Sequence, residues 1–205
     1  MVKREFVSRS TMALRRGALA TIVLLLGSGS AFAQAAQIRF VEYSAKFLCG
    51  VVEAKGPASA AVRPGTYETS INIHNPQLPI TPLPSVTFVK KAVLALPEGE
   101  KPIPPSGFRR DVLQADFAEQ VDCKVIRSIL GPAGTPPFIE GFVVLIVFPS
   151  PLTTPHELDV VGVYTVDTPQ QSISLEMVTI APRVLTFPVA VGTRLRDQML
   201  EQSKP

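Results

Sequence analysis

Alternation of apolar and polar side chains is the pattern that most constrains this chain. It runs through residues 41–52 and 66–74. The first stretch would present six residues on one face: Val41, Tyr43, Ala45, Phe47, Cys49 and Val51. A period of two residues is typical of β-strands. The chain also contains 20 prolines among its 205 residues, and proline is poorly tolerated inside helices. The sequence therefore predicts a mainly β protein.

Further strands are expected at 85–96, 142–148, 158–166 and 172–180, which makes at least six. The run at 142–148 has no polar face, so we expect a central strand that is covered on both sides. Lys90 and Lys91 interrupt the phase of their strand, and this favours a β-bulge or a crossing between sheets. The proline-rich connections are interpreted as stiff loops that protect sheet edges; they lie at 75–84, 97–107, 131–137 and 149–155.

One helix is predicted within this β pattern, over residues 116–130. Asp116 would cap it, with Glu119 at capping-box spacing, and Gly131 would end it. Apolar residues recur along this segment at helical spacing. A second, short and loosely attached helix is expected at 194–202.

These elements predict an antiparallel β-sandwich, immunoglobulin-like in the broad sense, with about seven strands and one helix inserted near 116–130. Hydrophobic residues make up 46% of the chain and charged residues 18%, which excludes wholesale disorder. The expected organisation is a leader at 1–33, a single domain at 34–190 and a polar tail at 191–205.

The first 33 residues have the three parts of an export signal. A basic stretch precedes an apolar run at 17–26, and Ala31-Phe32-Ala33 forms an A-x-A cleavage site before Gln34. The apolar run is shorter than the about 20 residues that a membrane span needs, although an uncleaved N-terminal anchor is the alternative. No later segment is long and apolar enough to cross a bilayer. The signal predicts a bacterial periplasmic or secreted protein.

Charge argues against a nucleic-acid partner. The chain has 20 basic and 17 acidic residues, but the leader holds five of the basic residues and one of the acidic residues. The remainder has 15 basic and 16 acidic residues, whereas nucleic-acid binding requires a basic surface. The remaining basic pairs, Lys90-Lys91 and Arg109-Arg110, are interpreted as solvated strand and loop positions.

Catalytic motifs are nearly absent, and no cofactor is predicted. The only histidines are His74, which should face solvent at a strand end, and His156, which precedes two acidic residues. They are candidate metal ligands only if the fold brings both to an acidic side chain. The acidic pair Glu157 and Asp159 is interpreted as solvated surface.

Cys49 and Cys123 are the only cysteines, and an even count in an oxidising compartment favours a disulfide. Cys49 would point inward from the first strand, and Cys123 would lie at the margin of the apolar side of the helix. The bond would then join the helix to the sheet. The alternative is two separate buried thiols, which behave as small apolar side chains.

The order of segments resembles that of small exported bacterial β-sandwich proteins of unassigned function. Five stretches carry this resemblance, at 43–50, 64–76, 122–123, 141–143 and 158–166, and include the patterns YSAKFLCG, INIHNP and DVVGVYTV. The layout is also distantly similar to sensory rhodopsin transducer-type sandwiches. Neither resemblance implies catalytic residues.

The sequence therefore predicts an exported, non-enzymatic domain for binding or assembly, with a protein or cell-envelope partner. Two alternatives stay open. The first is a metal-binding periplasmic module that uses His74 and His156. The second is a hydrolase whose site the sequence does not reveal.

Overall fold

The structure is a computed structural model that describes residues 36–53, 62–79, 85–149, 156–168 and 171–204, without the side chains of 171–173. The predicted leader lies outside these residues. The mainly β, antiparallel fold is confirmed, with nine described strands where about seven were expected. The strands are β1 (Gln37–Val52), β2 (Gly65–His74), β3 (Ser85–Leu94), β4 (Arg109–Gln114), β5 (Ala118–Asp122), β6 (Phe138–Val147), β7 (Asp159–Thr168), β8 (Gln171–Thr179) and β9 (Arg183–Pro188). The helices are α1 (Cys123–Leu130) and α2 (Val189–Gln202), and a short 3-10 turn occupies Gly131–Gly134.

The longest strand, β1, organises the topology. It pairs along one side with β6, and on its other side with β9 near its start and with β2 at its end. After this short contact β2 diverges and pairs with β7 and β5. The sheet thus has a first arm, in the order β4-β3-β6-β1-β9, and a second arm, in the order β5-β2-β7-β8. We call the β1–β2 contact the corner.

The core lies between the two arms, in a sandwich-like layout. The predicted inward face of β1 is correct from Val41 to Cys49, and Tyr43, Ala45, Phe47 and Cys49 are fully buried. It is wrong at Val51, which lies beyond Gly50 and is 48% exposed. Both arms contribute to the same apolar cluster, which includes Ile71, Ile73 and Val160 from the second arm and Phe88, Val143 and Leu145 from the first. The central position of the 142–148 run is also correct, because β6 lies between β1 and β3. Its outer face is only partly covered, and Phe142 is exposed there.

The helix predicted over 116–130 is wrong in its first half. Ala118–Asp122 forms β5, which pairs with β2, and Asp116 has a φ of 62° in a turn. The helix begins at Cys123, where the Asp122 carboxylate accepts a hydrogen bond from the Val125 N–H at 2.8 Å. Pairing with β2 decided the outcome, and it leaves Val121 completely buried. The predicted end before Gly131 is correct.

The corner is pinned by a disulfide and by α1. The sulfurs of Cys49 and Cys123 lie at bonding distance, so the predicted pair forms and joins β1 to the first residue of α1. Beside it the Arg127 guanidinium donates to the carbonyls of Cys49 and Pro136. Gly50 has a φ of 110°, and a Cβ there would lie 1.8 Å from the carbonyl oxygen of Pro137. Only glycine allows this approach.

The link between β4 and β5, residues 115–117, passes from the first arm to the second. We call it the crossing. Asn75, at the end of β2, is completely buried beside it. Its side-chain amide donates to the Leu113 carbonyl at 3.1 Å, and its backbone exchanges hydrogen bonds with Asp116 and Phe117. These contacts hold the end of β2 against the crossing.

The C-terminal segment was expected to form a loosely attached helix, but it packs against the sheet. Its helix, α2, begins at Val189 rather than at Arg194. Gly192 is buried, and Met199 and Leu200 pack against a second apolar cluster on the outer face of the first arm, formed by Phe40, Val89 and Phe148. Among the residues that the structure describes, no helix is long and apolar enough to cross a membrane.

Candidate functional site

The two candidate histidines occupy different surroundings. His74, at the end of β2, lies between two carboxylates: its Nδ1 is 3.2 Å from Asp159 and its Nε2 is 3.4 Å from Asp116. The ring of His156 instead contacts the side-chain amide of Gln77. The structure therefore gives each histidine its own polar partners.

The metal-binding alternative required both histidines to meet an acidic residue in one site. The structure places two carboxylates beside His74 and the Gln77 amide beside His156. Within the described ranges, no group of three or more His, Cys, Asp or Glu side chains is placed to hold a metal ion. At the crossing, the partly exposed His74 ring therefore lies within hydrogen-bond distance of two carboxylates.

Lys90 overturns an expectation from the sequence, because it is not solvated. It is only 8% exposed and points into the space between the arms. Its ammonium lies 2.8 Å from Asp111 on β4 and 2.9 Å from Glu119 on β5. Burial lowers the pKa of Lys90, but hydrogen bonds and charge from the two carboxylates outweigh burial and raise it above its ordinary value.

β3 also shows no bulge at Lys90-Lys91, because its pairing with β6 runs without a register shift. Lys90 is in phase with Val86, Phe88 and Ala92 on the inner face, and this phase was the signal that could have revealed its burial. Sequence reasoning missed it because a lysine is rarely buried unless it is paired. The Lys90–Glu119 ion pair joins the two arms on the crossing side, so Lys90 has a structural role.

The edge strand β8 is exposed at all of its described side chains, from Ser174 to Thr179. In the described residues only β7 pairs with it. The Ile180 N–H donates to the Val160 carbonyl. Because bonded and open pairs alternate in an antiparallel ladder, even-numbered residues of β8 turn their backbone groups toward β7, whereas Leu175, Met177 and Thr179 turn theirs toward the free edge.

The other edge strands of the described sheet carry features that discourage pairing. β9 is flanked by Pro182 and ends in Pro188, β4 begins with Arg109 and Arg110, and β5 is only five residues long. Charges, prolines and short length are the usual protection of an edge. β8 spans nine residues without proline, lysine or arginine. Its outward side chains Leu175 and Met177 are 60% and 70% exposed.

A groove of about 480 Å³ opens beside β8, where the two arms diverge from the corner. Its apolar surface includes Leu48 of β1, Phe142 of β6, Tyr164 of β7 and Val178 of β8. The Tyr164 hydroxyl donates to the Lys46 carbonyl at 3.0 Å, and so ties β7 to the part of β1 that has neither β9 nor β2 beside it.

Gly162 makes room for this tyrosine. A Cβ at Gly162 would lie 2.6 Å from the Tyr164 hydroxyl oxygen, so the ring folds back over the glycine two residues earlier on the same face of β7. Tyr164 thus lines the groove with an aromatic ring that has a polar tip.

The groove is mainly apolar, with two acidic side chains, Glu68 and Glu176, that form no ion pair with any described residue. Lys46 lines it but forms an ion pair with Glu140 at 3.5 Å. Glu176, which lies opposite Tyr164 in the β7–β8 pairing, forms no ion pair with any described residue. Burial first, and then the charge of Glu176, raise the pKa of Tyr164. A group that enters the groove next to β8 would therefore meet an apolar surface and a negative charge.

Comparison of the chain with protein-family models, with curated proteins and with solved structures gave no match.

Proposed function

We propose that the protein is an exported, non-enzymatic binding or assembly domain that holds a partner segment along β8 and in the adjacent groove. One observation carries this proposal: β8, the longest of the outer strands β4, β5, β8 and β9, has Glu176 as its one charged residue and borders the apolar groove. Addition of a strand to such an edge is a common mode of peptide recognition, with backbone hydrogen bonds for affinity and side-chain pockets for specificity.

The export part of the proposal rests on the leader and on the disulfide. Disulfides persist mainly in oxidising compartments, and Cys49 and Cys123 are bonded. The resemblance to small exported β-sandwich proteins is in keeping with this location. N-terminal sequencing of the protein from an expressing bacterium should begin at Gln34. A membrane-bound product that begins at Met1 would contradict export with cleavage.

Site-specific photo-crosslinking tests the binding surface. The residue p-benzoylphenylalanine is placed at Leu175 on β8 or, as a matched control, at Val184 on β9, which is 40% exposed. After irradiation of living cells we expect one discrete crosslinked product at Leu175 and none at Val184.

The same experiment with Met177→Pro decides whether the edge itself is used. The Met177 N–H points away from β7, so proline there removes only an outward donor and leaves the pairing with β7 intact. The product at Leu175 should disappear while the melting temperature stays within a few degrees. Equal products at both positions, or a product that survives Met177→Pro, would contradict the proposal.

A further inference from the structure

We propose that the occupant of β8 is an extended segment of another protein that runs antiparallel to β8, places a lysine or arginine opposite Glu176, and places apolar residues opposite Met177 and Val178. This inference rests on the proposed function and names the partner's chemistry. Three observations carry it: the direction of the free backbone groups, the side chains on each face of β8, and the unpaired charge of Glu176.

We take the antiparallel direction because it is the slightly more stable pairing per residue, and the backbone then sets the register. Leu175, Met177 and Thr179 offer their N–H and C=O groups to the free edge, so partner residues opposite them form the bonded pairs. Partner residues opposite Glu176 and Val178 then form the open pairs, in which side chains approach most closely. These two positions therefore select the partner's side chains.

The side chains set the chemistry. Glu176 and Val178 line the groove, so a basic residue opposite the first would meet its uncompensated charge. An apolar residue opposite the second would enter the groove toward Phe142. On the outer face, an apolar residue opposite Met177 would cover a side chain that is 70% exposed. Read along the partner, the order is apolar, apolar, basic, because the strands run in opposite directions.

Charge also argues against a second copy of this chain as the occupant. Residues 171–179 contain no basic residue and one acidic residue. Pairing of two β8 strands would add a second Glu176 to the same edge and supply no cation. Like charges that face each other across strands destabilise the pairing.

A titration followed by NMR tests the inference. The full chain, labelled with ¹⁵N, is titrated with the soluble peptide Thr-Val-Val-Arg-Val-Thr, in which the arginine would lie opposite Glu176. The matched peptide has glutamate in place of arginine. We expect the arginine peptide to shift the amides of Leu175, Met177 and Thr179, and to bind about fivefold more tightly than the glutamate peptide.

Charge reversal in the protein provides the decisive experiment. Glu176→Lys should reverse the preference between the two peptides, whereas Glu98→Lys, an equal charge change in the loop after β3, should leave it unchanged. Met177→Pro and Met177→Lys should both weaken binding. The lysine variant retains the backbone N–H and replaces the proline variant if that variant folds poorly.

Four outcomes would overturn the inference: equal affinity for the two peptides, an unchanged preference in Glu176→Lys, no binding of either peptide, or a dimer in sedimentation that Met177→Pro abolishes. Equal affinity for the two peptides together with the crosslink at Leu175 would contradict only the inference that the partner has a basic residue opposite Glu176. The proposed function would then still hold. Absence of both the crosslink and peptide binding would remove both.

Discussion

The two arms of the sheet meet at the corner and at the crossing, and different interactions stabilise the two places. At the corner, β1 and β2 share backbone hydrogen bonds, and the disulfide joins β1 to α1. Just beyond this ladder, where β1 and β2 diverge, the Thr69 hydroxyl accepts a hydrogen bond from the Leu48 N–H and donates one to the Leu48 carbonyl. At the crossing, no described strand of the first arm pairs with a strand of the second arm. The arms are joined there by side chains: Lys90 forms an ion pair with Glu119, and Asn75 donates a hydrogen bond to Leu113.

The difference follows from where β2 changes neighbours. Gly65–Tyr67 pairs with β1, and Ser70 onward pairs with β5. Thr69 lies at the change, and its N–H lies 3.2 Å from the sulfur of Cys123. The disulfide is therefore located where the backbone ladder is interrupted. The crossing has polar and charged side chains instead, so it should respond to pH where the corner does not.

The largest expected effect is loss of the disulfide. The double variant Cys49→Ala with Cys123→Ala should lower the free energy of unfolding by about 4 kcal/mol, because the cross-link closes a long loop and restricts the unfolded chain. Denaturant titration measures it, and wild type treated with reductant should match the variant. Two alkylatable thiols in denatured, unreduced protein purified from cells would contradict the bond.

Removal of the buried cation should cost less. Lys90→Met should lower the free energy of unfolding by about 2 kcal/mol, below the full cost of breaking a buried pair, because Asp111 and Glu119 remain partly open to water. Lys91→Met is the matched control on the opposite face, where Lys91 lies over the ring of Phe108. It should cost under about 1 kcal/mol. Equal losses in the two variants would show that the crossing does not depend on Lys90.

Alkaline pH should weaken the interior between the arms. The pKa of Lys90 is raised above 10.5 and that of Tyr43 is raised to about 12, the latter chiefly by burial. Each raised pKa means that the folded state holds its proton more tightly than the unfolded chain. Both contributions are therefore complete below about pH 10 and are lost as the pH rises through the folded-state values.

Unfolding at pH 8 and pH 11 measures this loss. Lys90→Met and Tyr43→Phe should each flatten the dependence, whereas Thr69→Val at the corner should cost the same free energy at both values. A pH-independent wild type would contradict the electrostatic account of the crossing.

The smallest effect is expected from metal. A divalent cation bound by His74, Asp116 and Asp159 would stabilise the crossing, as the disulfide stabilises the corner. We expect, however, that one equivalent of zinc raises the melting temperature by less than about 1 °C. His74→Ala should behave like wild type in the same titration. A stoichiometric zinc content after purification without a tag, lost in His74→Ala or His156→Ala, would favour the metal-binding alternative.

Where local pattern and tertiary pairing agree, the sequence predicted the structure well. The inward face of β1, the central place of β6 and the end of α1 before Gly131 follow from side-chain period and from the preference of glycine for helix ends. The strands β4 and β9 were missed because they are short and half exposed, so their apolar period is weak. Ala118–Asp122 fits a helix or a strand by itself, and only the neighbouring β2 decides between them.

The candidate site divides in the same way. The strand that became β8 was predicted from its own residues, but its place at an edge depends on which strands pair elsewhere in the sheet. Likewise, the phase of β3 puts Lys90 on the inner face, yet its burial depends on Asp111 and Glu119, which come from two other strands. Pairing across long stretches of chain is not written in any local pattern.

By itself, then, the sequence determined the β class, the inward face of β1 and the two cysteines available for a bond, because these depend on residue type and on a period of two. The tertiary structure alone decided that the cysteines meet at a change of strand partner, that Lys90 is buried, and that β8 is left open beside a groove. These properties depend on which distant segments lie next to each other, and that is settled by the summed burial and hydrogen bonding of the whole sheet.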